Sequence, residues 1–139
     1  MIVLDTNTLS ELLAPSPDPR AAAVIEELLP SAYFTAVTVA EIAEGAKRMP
    51  RGQKRTRIES QLSSLVDEFS AFALPFTHRE ADDFGRIRAE RFRMGRPVGV
   101  ADAMIAAICA TRGATLVTRN VRDSERVGLE LINPWDADR

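Results

Sequence analysis

The feature that most limits the fold of this chain is a repeated switch of hydrophobic period. Five short apolar runs, "MIVLD" (1–5), "AYFTAVT" (32–38), "AFALPF" (71–76), "ATLVT" (114–118) and "LELIN" (129–133), alternate with stretches of helical spacing. A strand buried on both faces reads as an unbroken apolar run, whereas a strand wet on one face alternates polar and apolar residues. Parallel strands need a helix-sized return connection, and those crossovers are right-handed. The expected architecture is therefore α/β, a three-layer α/β/α sandwich around a central five-stranded, mainly parallel sheet. With 139 residues, 45% of them hydrophobic, the chain is long enough to bury one core, so a single domain over 1–139 is expected.

The helical stretches are "TLSELLA" (8–14), "RAAAVIEELL" (20–29) after the break "PSPDP", "VAEIAEGAKRM" (39–49) with Thr38 as N-cap, and residues 53–69, 77–94 and 99–113. Gly113 is placed to close the last of these as a left-handed C-cap. Trp135, in the terminal "NPWDADR", is expected to cover the end of the sheet.

The residues between 99 and 113, "GVADAMIAAICATRG", would make an ordinary core helix except for Asp102. In a parallel sheet all strands end on one edge, and a helix that returns the chain begins at that edge. Asp5 ends the first strand, Glu41 follows the second, Asp102 opens the helix entering the fourth, and Asp123 follows the fourth. The topology thus brings four carboxylates to the edge where open α/β sheets bind ligands. Each acid has a plainer role as well: Asp5 can cap the helix opening at Thr6, and Glu41 and Asp102 can complement helix dipoles. Four at one edge point further, because like charges a few ångströms apart raise one another's pKa or recruit a cation. Oxygen-only ligands suit Mg²⁺ or Mn²⁺, which keep water positions open to phosphate oxygens. Thr6, Asn7, Thr118, Arg119 and Asn120 add polar groups at the same edge.

Other chemistries find little support. His78, the one histidine, sits where a helix begins and is expected in a turn; Cys109, the one cysteine, lies in the apolar run and is expected to be a buried hydrophobe. There is no basic leader before an apolar stretch and no run long enough to span a bilayer, so a cytoplasmic chain with no membrane partner is expected. The net charge of −2 by itself argues against a general polyanion binder, yet the cations are clustered. Lys47, Arg48, Arg51, Lys54, Arg55 and Arg57 have no acid among them, and between Arg86 and Arg96 five arginines face only Glu90. Of these, Arg48, Arg51, Lys54, Arg93 and Arg96 are candidate contacts for a phosphate backbone.

In four blocks, "MIVLDTNTLSE", "TAVTVAEIAEGAKRM", "GRPVGVADAMIAAICATRGATLVTRNVRD" and "INPW", the chain resembles the PIN-domain ribonucleases. More narrowly it resembles the VapC toxins of VapBC-type toxin–antitoxin pairs, on the FitB-like branch. The resemblance implies an Mg²⁺- or Mn²⁺-dependent endoribonuclease in which Asp5, Glu41 and Asp102 match the acidic triad. Some members carry Asp where this chain has Asn120, and a related pattern puts the fourth acid at Asp123, the position favoured here. It also implies a homodimer and a VapB/FitA-like antitoxin that inhibits the nuclease and carries it to operator DNA.

Two other classes compete. A haloacid-dehalogenase-like phosphohydrolase needs a second Asp where "DTNT" has Asn7. A non-catalytic interaction module, either a receiver or a degenerate nuclease, is the other. Receivers carry paired acids after the first strand and a late lysine, and neither is present; metal binding without RNA cleavage would identify the degenerate form.

Overall fold

The computed structural model describes residues 1–136; the last part of the expected domain, 137–139, lies outside the described residues. The elements run β1 (Ile2–Leu4), α1 (Thr6–Leu13), α2 (Pro19–Leu28), β2 (Ala32–Thr35), α3 (Ala36–Arg48), α4 (Gln53–Phe69), β3 (Ala73–Leu74), α5 (Ala81–Arg93), α6 (Val100–Arg112), β4 (Thr115–Val117), α7 (Val121–Ser124) and β5 (Leu131–Ile132). The strands form one five-stranded sheet in the order β3-β2-β1-β4-β5, and every pairing is parallel. Strand order reverses between β1 and β4, so the crevice between their carboxyl ends is the topological switch point.

The period-2 alternation of each strand divides the core. Val3 and Leu116 face a cluster with Ile105, Ile108 and Cys109 of α6, whereas Leu4 and Val117 face the opposite one with Leu9, Ile25, Ile42 and Leu62. Helices therefore cover both faces, as the unbroken apolar runs required. Helix α6 is apolar around most of its circumference because its other side, Ala103, Ala106 and Ala107, packs with Ile87 of α5. Its C-cap is Gly113 at φ 62, a left-handed conformation that glycine adopts without a Cβ penalty.

Several boundaries differ from the expected ones. Helix α3 starts at Ala36, because Thr35 and not Thr38 is its N-cap: Thr35 Oγ1 accepts the Thr38 N–H at 3.0 Å. β2 is correspondingly shorter, and Glu41 falls in the second turn of α3. β3 is reduced to two residues, since Ser70–Phe72 wind into a 3₁₀ turn and Pro75 has no N–H to continue the ladder. α5 begins at Ala81, after a turn in which Glu80 accepts from both the N–H and hydroxyl of Thr77.

The β3-to-β4 crossover contains two helices. Arg112 at the end of α6 reaches Glu80 at the start of α5, so the pair is antiparallel. The end of α5 and the start of α6 therefore share the carboxyl edge of the sheet.

Candidate active site

Asp5 follows β1 directly and N-caps α1, its Oδ1 accepting the Thr8 N–H at 2.8 Å. Its own N–H donates to the Val117 carbonyl at 3.0 Å, and the buried Thr8 hydroxyl donates to that same carbonyl at 3.1 Å. β1 and β4 are thus fastened where their ends diverge. The capping role is real, but it occupies one oxygen of a carboxylate at the switch point; a cap and a ligand are compatible in one side chain.

Asp102 lies in the first turn of α6, as the position of that helix required. Asp5, Asp102, Thr118, Asn120 and Asp123 line a single cavity, floored by Ile105 and Leu116. Although Asp102 opens to solvent, partial desolvation raises its pKa, and repulsion by Glu41, Asp123 and Asp5 raises it further. The Asp102 carboxylate thus feels the charge of the other three acids. Glu41 is half-buried, and its Oε1 accepts the Thr6 hydroxyl. Thr6 Oγ1 lies 3.1 Å from Thr38 Oγ1, which in turn lies 3.4 Å from Thr35 Oγ1. A chain of hydroxyls across α1 and α3 therefore fixes Glu41 even though it starts a turn later than expected.

Asn120 and Asp123 both reach the cavity. Asn120 takes the N-cap position of α7 without a side-chain capping bond, and its N–H donates to Thr118 Oγ1 at 3.0 Å. Asp123 contributes the charge felt by Asp102. Asn7 and Arg119 stand one step away, in an adjoining cleft with Trp135. His78 is exposed in a turn. Cys109 is buried, which pushes its thiol up to about 12 and leaves no thiolate for nucleophilic chemistry.

Among the described residues no group of three or more His, Cys, Asp or Glu side chains could by itself hold a metal ion. One or two carboxylates completed by water is the mode in which Mg²⁺ is usually held. The donors here are oxygens alone, with uncompensated negative charge, and so fit a hard divalent cation.

The basic clusters divide. In the first, Lys47 and Arg55 pair with Glu59, whereas Arg48, Arg51 and Lys54 stand exposed at the α3–α4 turn. In the second, Arg86 pairs with Asp83 and Glu90. Arg91 is only 2% exposed and donates to the carbonyls of Arg96 and Glu125, a structural role. Arg93 and Arg96 remain exposed, on the edge that carries Asp102.

An apolar groove had no counterpart in the sequence reading. It runs between α1, the end of α4 and the start of β2, with Leu12, Leu13, Leu29, Phe69 and Phe72 in its walls, and Leu29, Phe69 and Phe72 are each at least 40% exposed. It escaped notice because its residues come from four separate segments, each unremarkable alone.

The family pattern described as "PIN domain" matches residues 2–128. The chain belongs to the PIN-domain family. This PIN domain is 35% identical over 138 residues to VapC ribonuclease Y4jK of Sinorhizobium fredii, covering 98% of this chain and 99% of that one. It is 33% identical over 137 residues to Toxin FitB of Neisseria gonorrhoeae, covering 97% and 99%. Its fold is similar to the solved structure of FitAB bound to an IR36 DNA fragment, with a TM-score of 0.90 at 31% identity, covering 100% of this chain and 99% of the other. No helix among the described residues is long and apolar enough to cross a membrane.

Proposed function

We propose that this PIN domain is a divalent-metal-dependent endoribonuclease that serves as the toxin of a toxin–antitoxin pair. The observation that carries the nuclease reading is the gathering of Asp5, Asp102 and Asp123 around one cavity at the sheet's switch point, with Glu41 near enough to join them in repelling the Asp102 carboxylate. Asp5 and Asp102 would hold Mg²⁺ or Mn²⁺, with Glu41 and Asp123 completing the shell through water. Bound there, such an ion supplies Lewis acidity and lowers the pKa of coordinated water.

The chain's own residues do the rest. The Thr8 N–H fixes one oxygen of Asp5 and orients the other. Thr6 holds Glu41 in place. Arg119, in the adjoining cleft, would add positive charge near the phosphoryl oxygens, while Arg48, Arg51, Lys54, Arg93 and Arg96 would track the RNA backbone. In the reaction a water oxygen bonds to phosphorus and gives up a proton to solvent as the bond to the leaving ribose oxygen breaks, and that oxygen takes up a proton from solvent. A degenerate module would bind the ion and leave RNA uncut, an outcome that the cleavage assay below reads.

The toxin reading rests on the relatives, one titled a toxin and another solved as a FitAB complex on DNA. The partner is a VapB/FitA-like antitoxin whose apolar segment covers the groove beside Phe69 and Phe72, and operator DNA is reached only through it. Burying those side chains supplies the hydrophobic drive for such a complex. The chain itself is proposed to pair as a homodimer.

The test is cleavage of total RNA by the purified chain with and without Mg²⁺ or Mn²⁺. Cleavage is expected to require the ion and to be lost on chelation and in Asp5→Asn. A fully active, purified Asp5→Asn protein would sink the assignment.

A further inference from the structure

Beside the carboxylates lies a second cleft, of about 480 Å³, formed by α1 on one side and by Arg119, Asn120 and Trp135 on the other. That is within the range of ligand-sized pockets. Asn120 lines both this cleft and the carboxylate cavity, so the two are contiguous. The Arg119 guanidinium carbon sits 5.2 Å from the centroid of the Trp135 ring. That ring is half-buried against the apolar cluster beneath α1, and its backbone N–H donates to Asn133 Oδ1 at 3.0 Å. Trp135 is therefore a fixed backing for a guanidinium that is itself exposed. Across the cleft, Glu11 accepts the Asp18 N–H with Oε1, which anchors the carboxylate, and among the described residues its second oxygen has no hydrogen-bond donor.

We propose that this cleft binds the base of the nucleotide adjoining the scissile phosphate, stacked on the Arg119 guanidinium that Trp135 positions, with Glu11 accepting from an exocyclic amino group. The inference deepens the nuclease reading and rests on it. Single-stranded RNA is recognised by unstacked bases laid on aromatic or guanidinium planes, and a planar guanidinium held against a ring is prepared for that contact. Stacking accepts any base, so discrimination falls to the cleft's polar wall. An ionised carboxylate only accepts hydrogen bonds; adenine, cytosine and guanine offer it an exocyclic amino group, whereas uracil offers only its ring N3–H, so Glu11 favours the first three.

Trp135 is the chain's one tryptophan, so its emission reports on the stack. The experiment titrates Asp5→Asn protein, in Mg²⁺, with short oligo(A), oligo(C) and oligo(U). Oligo(A) and oligo(C) are expected to perturb the emission and to bind about tenfold more tightly than oligo(U), the low end of what base contacts contribute. Arg119→Ala added to that background should weaken all binding about tenfold and abolish the emission change; Glu11→Ala should level the three affinities. Trp135→Phe, followed by anisotropy of labelled RNA, should keep the preference because it keeps a ring behind the guanidinium. Arg119→Ala and Glu11→Ala proteins that keep the parental affinities and base order would overturn the subsite. Cleavage by the unsubstituted chain is scored separately. Its absence alongside base-dependent binding refutes the nuclease reading, whereas cleavage with an unchanged base profile in Glu11→Ala refutes the subsite alone.

Discussion

The two ends of the α5–α6 pair each present a carboxylate, and they treat it in opposite ways. At the end away from the proposed catalytic edge, Glu80 is fully buried and accepts from the Thr77 N–H at 2.7 Å, the Thr77 hydroxyl at 2.8 Å and Arg112 Nη1 at 2.6 Å. Burial alone would raise its pKa, but the Thr77 and Arg112 bonds outweigh it and bring it down to about 2. At the other end Asp102 is more open, yet its pKa is raised, first by desolvation and then by three carboxylates. Burial therefore does not separate the structural acid from the proposed functional one; the sign of the surrounding charge does. Glu80 stabilises the fold because its partners are in the chain, whereas the charges around Asp102 repel it, as expected of the proposed cation ligand.

That contrast is sharpest under substitution. Asp102→Asn is expected to lower RNA cleavage about a hundredfold to a thousandfold, the usual cost of removing one preorganised group from a charge-handling site. It should not lower the melting temperature, since it relieves repulsion. A variant that unfolds and retains activity per folded molecule would reverse the assignment. Glu80→Gln should do the opposite: it leaves Arg112 without its counter-charge in a largely buried setting, costing about 3 kcal/mol. That corresponds to a melting temperature roughly 6–12 °C lower for a chain of this size. Cleavage per folded molecule should be unchanged, and calorimetry paired with a cleavage assay checks both halves.

Asp102 was legible in the sequence because it breaks an apolar helix, and Asp5 because it ends an apolar strand; both inferences needed only the rule that parallel strands end together. Glu41 was found for the same reason but placed one turn too early. "AYFTAVT" continues as β-branched and apolar residues into what is already helix, and only the Thr35 cap and the packing of Val37 into the core decide where the strand stops. β3 was overextended because periodicity does not register that Pro75 lacks a donor or that Ser70–Phe72 fold into a turn. Glu80 with Arg112, 32 residues apart, and Arg119 with Trp135 were not legible at all. Partnerships so distant in sequence leave no local pattern, and each exists only after the crossovers have formed.

pH separates the same two acids without mutation. Glu80 has a folded-state value of about 2 against an ordinary 4.5, so its contribution is fully present above 4.5 and is lost as pH falls towards 2. Asp102 is shifted upward, so its ionisation opposes folding and its protonation restores stability; its contribution is greatest below its ordinary value of 3.8 and is lost as pH rises through the raised one. Urea midpoints measured across the acid range should therefore fall less steeply below pH 4.5 in Glu80→Gln than in the parent. In Asp102→Asn they should lose the component that declines as pH rises. Identical pH profiles for the parent and Glu80→Gln would mean that the Arg112 pair does not act as described.

The smallest effect concerns the cations at the two ends. Arg93 and Arg96 are exposed on the edge that carries Asp102, whereas Arg112 is committed to Glu80. A lysine or arginine that neutralises an RNA phosphate releases condensed counterions, so each such contact adds about 0.7 to the slope of log affinity against log salt for a single strand. Arg93→Ala and Arg96→Ala should each reduce that slope by about this amount, and they should weaken binding only a few-fold at moderate salt. Arg112→Ala should lower stability and leave the slope where it was, because its charge is already balanced inside the fold. Equal slopes for all three variants would remove Arg93 and Arg96 from the RNA path while leaving the carboxylate edge untouched. A changed slope for Arg112→Ala would show that RNA reaches the end of the helix pair opposite Asp102.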